Sequence, residues 1–187
     1  GPSLRIQCPN MTRLNDQILT ACLLEATAAK PGNVHPAASF SDMTYSDLVR
    51  SARAVSGILA ETSHHGIGPA VLAAVKATAS VTSSNTNLGI ILLLAPLAAV
   101  PTGTTLHQGI SDVLDRLDTH DTECVYDAIR IARPGGLGTS DDHDVADRLD
   151  VSLMVAMQSA AHRDGVAAAY HDRFEQVLKW SHTGLAG

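Results

Sequence analysis

The chain has 187 residues, 45% of them apolar but only 3% aromatic, and a formal net charge of −6 from 13 basic and 19 acidic side chains. That length supports a real core, which must be built from Ala, Leu, Val and Ile, while the acidic balance and the absence of any Lys/Arg block argue against a nucleic-acid partner. Cys8, Cys22 and Cys124 are far apart and odd in number, so neither a disulfide framework nor a Cys-rich zinc site is indicated, and a reducing cytoplasm is the simplest setting.

Residues 1–10, "GPSLRIQCPN", lack a signal-peptide core and read as an expression leftover or a disordered tail, with Met11 as the natural start. Residues 11–187 then form a single all-α domain. Leu14, Ile18, Cys22 and Ala26 recur at four-residue spacing and predict an amphipathic helix from Leu14 to Thr27. "AAKPGNVHP" breaks it.

Thr44 is placed as an N-cap, and Leu48, Ala52, Val55 and Leu59 carry a helical stripe to about residue 62. "HHGIGP" reads as a turn, with Pro69 as the first residue of the next helix, continued by Val71, Leu72, Val75 and Ala79. Asn85–Asn87 opens the most hydrophobic segment, Leu88–Val100. This run is shorter than the roughly 20 residues of a membrane span, and Pro96 with the polar flanks marks it as a buried core helix.

"VPTGTT" is a loop. Helices follow at about 105–118 and 121–133, the latter stopped by "RPGGLG", and two more fall at about 146–162 and 164–180. In the first of these, Leu149, Leu153, Met157 and Ala160 face inward. No stretch alternates as a strand would. The expected fold is all-α, a single bundle of seven or eight helices.

Three loops hold more polar residues and glycines than a turn needs: Lys30-Pro31-Gly32-Asn33 with Asp42, Asn85-Thr86-Asn87-Leu88-Gly89, and Arg133-Pro134-Gly135-Gly136-Leu137-Gly138 with Asp141–Asp144. Glycines admit a ligand close to backbone N–H groups, and helix N-termini favour anions. Lys30 and Arg133 suit phosphates, and the Asp141–Asp144 cluster suits Mg²⁺. Together they fit a nucleotide in a protein without a P-loop. Each also has a plainer reading: Asn85 or Asn87 as a helix cap, the glycines as a loop, the aspartates as a solvated turn, Asp164 as a cap. His64-His65 and His171-Asp172 echo metal-hydrolase pairs without a matching ligand set.

Taken in order, "LLEATAAKPGNV", "SDMTYSDLVRSA", "NTNLGIILLLAPLA", "ARPGGLG…DVAD" and "AAHRDGVAAAYHDRFEQV" resemble the triphosphoribosyl-dephospho-CoA synthase family, from about Leu14 to the last residue. The likeness is strongest to its archaeal-like, short-motif branch. The resemblance implies an all-α enzyme that joins ATP to 3′-dephospho-CoA and releases adenine. Residue by residue it implies Glu25, Lys30, Gly32 and Asn33 in the first motif and Asp42 in the second. Asn85, Asn87 and Gly89 fall in the third, Gly135, Gly136 and Asp144 in the glycine-rich loop, and Asp164 late in the chain.

The implied roles are Glu25 or Asp164 as base, Asp144 and Asp164 as Mg²⁺ ligands, and Lys30 against the triphosphate. Asn85 and Asn87 are the implied adenine contacts. The chain departs from the family pattern at Arg133-Pro134-Gly135-Gly136, where an "RGE"-like loop is typical, and at Gly165-Val166, where an asparagine is typical. A related transferase with another acceptor, such as one in one-carbon cofactor synthesis, is therefore the alternative, followed by a nucleotide- or partner-binding module without turnover. A metal-dependent phosphohydrolase is more distant. Relatives usually continue further, so C-terminal helices are expected to be missing here. A two-fold homodimer is expected to cover the apolar face left behind, with Leu178, Trp180 and Leu185 at the contact.

Overall fold

The computed structural model describes residues 9–27, 45–82, 87–132 and 151–183. These form α1 (Pro9–Thr27), α2 (Tyr45–Ala60), α3 (Thr62–His65), α4 (Ile67–Val81), α5 (Leu88–Ala98), α6 (Leu106–Asp115), α7 (Thr119–Ala132), α8 (Leu153–Ala160), α9 (Gly165–His171) and α10 (Glu175–Thr183). No strand occurs among the described residues. The all-α reading therefore holds, with ten helices among the described residues, which divide more finely than expected at two points.

The first division falls at "HHGIGP", which is not a simple turn. Residues 62–65 make one helical turn, and Gly66 at φ 89° lets the chain change direction. The next helix begins at Ile67, so Pro69 is its third residue and not its first. The second division falls in the predicted helix 164–180, which stops at His171. There the Phe174 N–H bonds the Ala169 carbonyl at 2.7 Å and the Arg173 N–H bonds the Tyr170 carbonyl at 3.2 Å. This is a Schellman termination. The left-handed positions that glycine normally fills are held by Arg173 (φ 55°) and Phe174 (φ 63°). Strain of about 1–3 kcal/mol per residue is offset by what the turn achieves. Phe174 is buried against Tyr170, with ring centroids 5.4 Å apart, and Arg173 reaches Asp115 on α6 at 2.7 Å.

Helix α1 starts five residues before Leu14, at Pro9. Helices α1 and α2 pack along their length with Asn15 beside Gly57, which requires an antiparallel pair. Ser51 on α2 bonds Thr78 on α4, so those two helices are antiparallel as well. Helices α4 and α7 begin side by side, tied by a bond from the Gly68 N–H to Asp121 Oδ1 at 2.7 Å. The stripes expected from periodicity are in the core: Ile18 and Cys22 on α1, Ala52, Val55 and Leu59 on α2, Val71 and Val75 on α4, Leu153 and Met157 on α8. Ala79 is an exception and is exposed. Leu178, expected at an association surface, is buried within the chain.

Helix α5 touches α1, α2, α3, α4, α6 and α9. A helix with neighbours on most of its faces must be apolar on most of them, and in "LGIILLLAPLA" Ile91, Leu92, Ala95, Pro96 and Ala98 are buried while Leu88, Ile90, Leu93, Leu94 and Leu97 are half-buried. Pro96 inside it has no N–H to give the Leu92 carbonyl four residues back. The Tyr170 hydroxyl supplies that donor, 2.8 Å from the Leu92 oxygen. Burial, with a smaller push from Asp121, holds this phenol protonated far above its ordinary range.

Candidate functional site

The antiparallel order of α1, α2 and α4 gathers one set of helix termini at one end of the bundle. There lie the C-terminal turn of α1 with Glu25, the first turns of α2, the last turn of α4 and the entrance to α5. The chain leaves α1 at Thr27 and re-enters at Tyr45 here, and it leaves α4 at Val81 to enter α5 here. The candidates Lys30, Gly32, Asn33 and Asp42, and likewise Asn85, lie outside the described residues. So do Gly135, Gly136 and Asp144.

Asn87 stands at the N-cap position of α5, with φ −117° and ψ 3°, but its side chain caps nothing. It turns inward and donates from Nδ2 to Ser51 Oγ on α2. Ser51 in turn donates to Thr78 Oγ1 at 3.3 Å, and Thr78 donates to the Ala74 carbonyl at 3.1 Å. Ser51, Thr78 and Asn87 are 0%, 2% and 5% exposed. A polar chain across three helices, nearly buried among apolar residues, gives a fixed geometry, because breaking any of its bonds leaves a polar group without its partner.

Gly89 lies two residues into α5, where an added Cβ would sit 3.6 Å from Val166 Cγ2. That contact brings the start of α9, and with it Asp164, beside the entrance to α5. Asp164 is exposed and caps α9, accepting from the Ala167 N–H at 2.8 Å through Oδ1. The other carboxylate oxygen is not used by this cap. Glu25 is half-buried on α1, and after burial itself it is the second cause that pushes the neighbouring Cys22 thiol up to about 11.

Among the described residues no group of three or more His, Cys, Asp or Glu side chains is arranged to hold a metal ion. Asp164 alone represents the expected Mg²⁺ ligands, since Asp144 lies outside the described residues. His64, His65 and His171 are exposed, while Asp172 is half-buried. His65 meets Glu61 at 3.3 Å, and Asp172 accepts from the Gln176 N–H at 3.3 Å. The structure thus brings Asn87, Gly89 and Asp164 together at one end of the bundle, with Glu25 on a helix that ends there.

Sequence reasoning missed Ser51 and Thr78. The signal was present. Both are polar residues on otherwise apolar stripes, Ser51 four residues before Val55 and Thr78 three after Val75.

These features define an all-α protein with a buried polar anchor where several helix ends meet. Among known families, residues 11–186 match the one described as ATP:dephospho-CoA triphosphoribosyl transferase (CitG), and the chain belongs to that family of transferases. Comparison with curated proteins and with solved structures returned no match. No helix among the described residues is long and apolar enough to cross a membrane.

Proposed function

We propose that this chain transfers the triphosphoribosyl group of ATP to the hydroxyl of 3′-dephospho-CoA and releases adenine. The bond from ribose C1 to the adenine nitrogen breaks with its electron pair going to nitrogen, a bond from C1 to the acceptor oxygen forms, the acceptor's proton passes to a carboxylate, and the departing nitrogen takes up one proton so that neutral adenine leaves. Glu25 and Asp164 are the two carboxylates suited to that role. A nearby carboxylate also stabilises the positive charge that develops on the ribose. The observation that supports this reading most is the family match, which runs from Met11 to Ala186 and takes in every motif quoted above.

On this reading the adenine lies against Asn87 and Asn85 at the entrance to α5. Lys30, the backbone of Gly32, Asn33, Gly135 and Gly136, and Asp42 belong to the triphosphate side. Mg²⁺, held by Asp144 and Asp164, would offset the triphosphate charge. A cytoplasmic homodimer is part of the proposal.

A related transferase with another acceptor is favoured by one specific observation, the Arg133-Pro134-Gly135-Gly136 and Gly165-Val166 departures from the family pattern. One experiment separates the readings. Protein, ATP and Mg²⁺ are incubated with and without dephospho-CoA, and free adenine is sought by chromatography. Adenine only with dephospho-CoA supports the proposal. Adenine with a different hydroxyl acceptor supports the alternative. Nucleotide binding with no adenine under any condition would leave a binding module.

A further inference from the structure

We propose that Ser51 and Thr78 fix the amide of Asn87 so that only its Oδ1 is offered to a ligand, and that this acceptor makes the site select a 6-aminopurine nucleotide over its 6-oxo analogue. The inference rests on the reading that the entrance to α5 receives the nucleotide base.

The argument follows the protons. The Ala74 carbonyl can only accept, so the Thr78 hydroxyl must donate to it. With its one proton spent, Thr78 Oγ1 can only accept from Ser51. The Ser51 proton is then spent as well, so Ser51 Oγ can only accept from Asn87. The group facing Ser51 must be the NH₂. An amide can ordinarily be turned over with little cost in shape. Here a backbone carbonyl on α4 sets its sense from two residues away.

The consequence falls on the other end of the amide. Asn87 is 5% exposed, and its Oδ1 has no partner among the described residues. An acceptor that no described residue occupies can take a donor from a ligand. The exocyclic amine of adenine does so. Inosine carries an oxygen at the same position and would set acceptor against acceptor. Ser51 and Thr78 touch no ligand in this account and are positioning residues.

The test compares ATP and ITP binding to the full chain by calorimetry. The wild type should bind ATP at least about tenfold tighter than ITP. Thr78→Val keeps the shape but frees the Ser51 proton, which can then satisfy Oδ1 and let the amide turn over. The ATP:ITP ratio should fall to within about threefold, and Ser51→Ala should do the same by removing the partner of Nδ2. Thr78→Ser keeps the hydroxyl and should keep the ratio. A general loosening of the bundle would weaken both nucleotides together and leave the ratio alone.

An unchanged ratio in both Thr78→Val and Ser51→Ala would overturn the positioning role while leaving the nucleotide site standing. Failure of the wild type to bind either nucleotide would overturn the site and this inference with it. Should either variant not fold, exchange of the Asn87 side-chain NH₂ protons in the wild type decides by nuclear magnetic resonance. Slow exchange is expected, and exchange at the rate of a free amide would overturn the proposed orientation.

Discussion

The carboxylate of Asp121 closes the N-termini of two helices at once, and Gly68 is what lets it reach the second. Asp121 Oδ2 accepts from the Asp118 N–H at 3.2 Å, while Asp118 Oδ1 accepts from the Asp121 N–H at 2.9 Å, a reciprocal capping box on α7. Asp121 Oδ1 meanwhile takes the Gly68 N–H of α4. The helices approach so closely there that a Cβ on Gly68 would sit 2.4 Å from the Asp121 Cα. Backbone cannot move aside as a side-chain tip can.

Gly68→Ala should therefore destabilise the fold by about 1–3 kcal/mol through overpacking. Asp121→Ala should cost about 1–3 kcal/mol by leaving the Asp118 and Gly68 N–H groups without their acceptor. Chemical denaturation measures both. Stability within error of the wild type for Gly68→Ala would mean that α4 and α7 are not in this contact in solution.

The Tyr170 hydroxyl takes over the donor role that Pro96 cannot fill. Tyr170→Phe should leave the Leu92 carbonyl unsatisfied in the core and cost about 1–3 kcal/mol. The dependence on Pro96 is the sharper test. Pro96→Ala restores an N–H to Leu92, so Tyr170→Phe should cost clearly less in that background. A double-mutant cycle reads the difference, and strict additivity would show that the hydroxyl does not serve this carbonyl.

Cys22 links stability to alkaline pH. Burial, and then Glu25, raise the thiol from its ordinary value of 9.0 to about 11. The folded chain holds this proton more tightly than the unfolded chain does. The contribution is therefore fully present below about pH 9 and is lost as pH rises through about 11. Cys22→Val, which keeps a buried apolar group, should flatten that alkaline decline. The same burial should keep the thiol unreactive to iodoacetamide at pH 8, and rapid labelling there would contradict it.

Much of the fold was legible because its signal is local. Helical stripes such as Ala52, Val55 and Leu59 announce themselves by spacing. The termination at Arg173–Phe174 was not legible, because a Schellman turn is normally marked by glycine and here its left-handed positions are set by tertiary contacts of Phe174 and Arg173. The Gly68–Asp121 clasp joins residues 53 apart in sequence and leaves no periodic trace. Of "NTNLG", the described residues Asn87, Leu88 and Gly89 lie at the entrance to α5. The alternative of Asn87 as a simple cap fails, since its side chain faces Ser51. That partner could not be read without knowing that α2 and α5 meet.

Asn87→Ala should weaken ATP binding by about 1–3 kcal/mol if the amide contacts the base. Calorimetry with ATP checks it. The same substitution leaves Ser51 without its donor partner, so a modest fall in stability should accompany the loss. A stability loss with unchanged ATP affinity would assign Asn87 to the core alone.

Asp164 caps α9 and is proposed as base or metal ligand, and substitution can separate the two roles. As the N-cap of α9 it accepts from the Ala167 N–H, and Asp164→Ala should cost about 1 kcal/mol of stability by removing that acceptor. Asn caps a helix about as well as Asp, so Asp164→Asn should leave stability nearly unchanged. The amide is neither a base nor a good ligand for Mg²⁺. If Asp164 accepts the acceptor's proton, adenine release should fall by about 10²–10⁴-fold in Asp164→Asn. If it serves only the metal, raising the Mg²⁺ concentration should recover part of the rate. Full activity in Asp164→Asn would confine the residue to capping and pass the role of base to Glu25. Glu25→Gln would then be expected to show the loss, since Glu25 is the other carboxylate assigned to this end of the bundle.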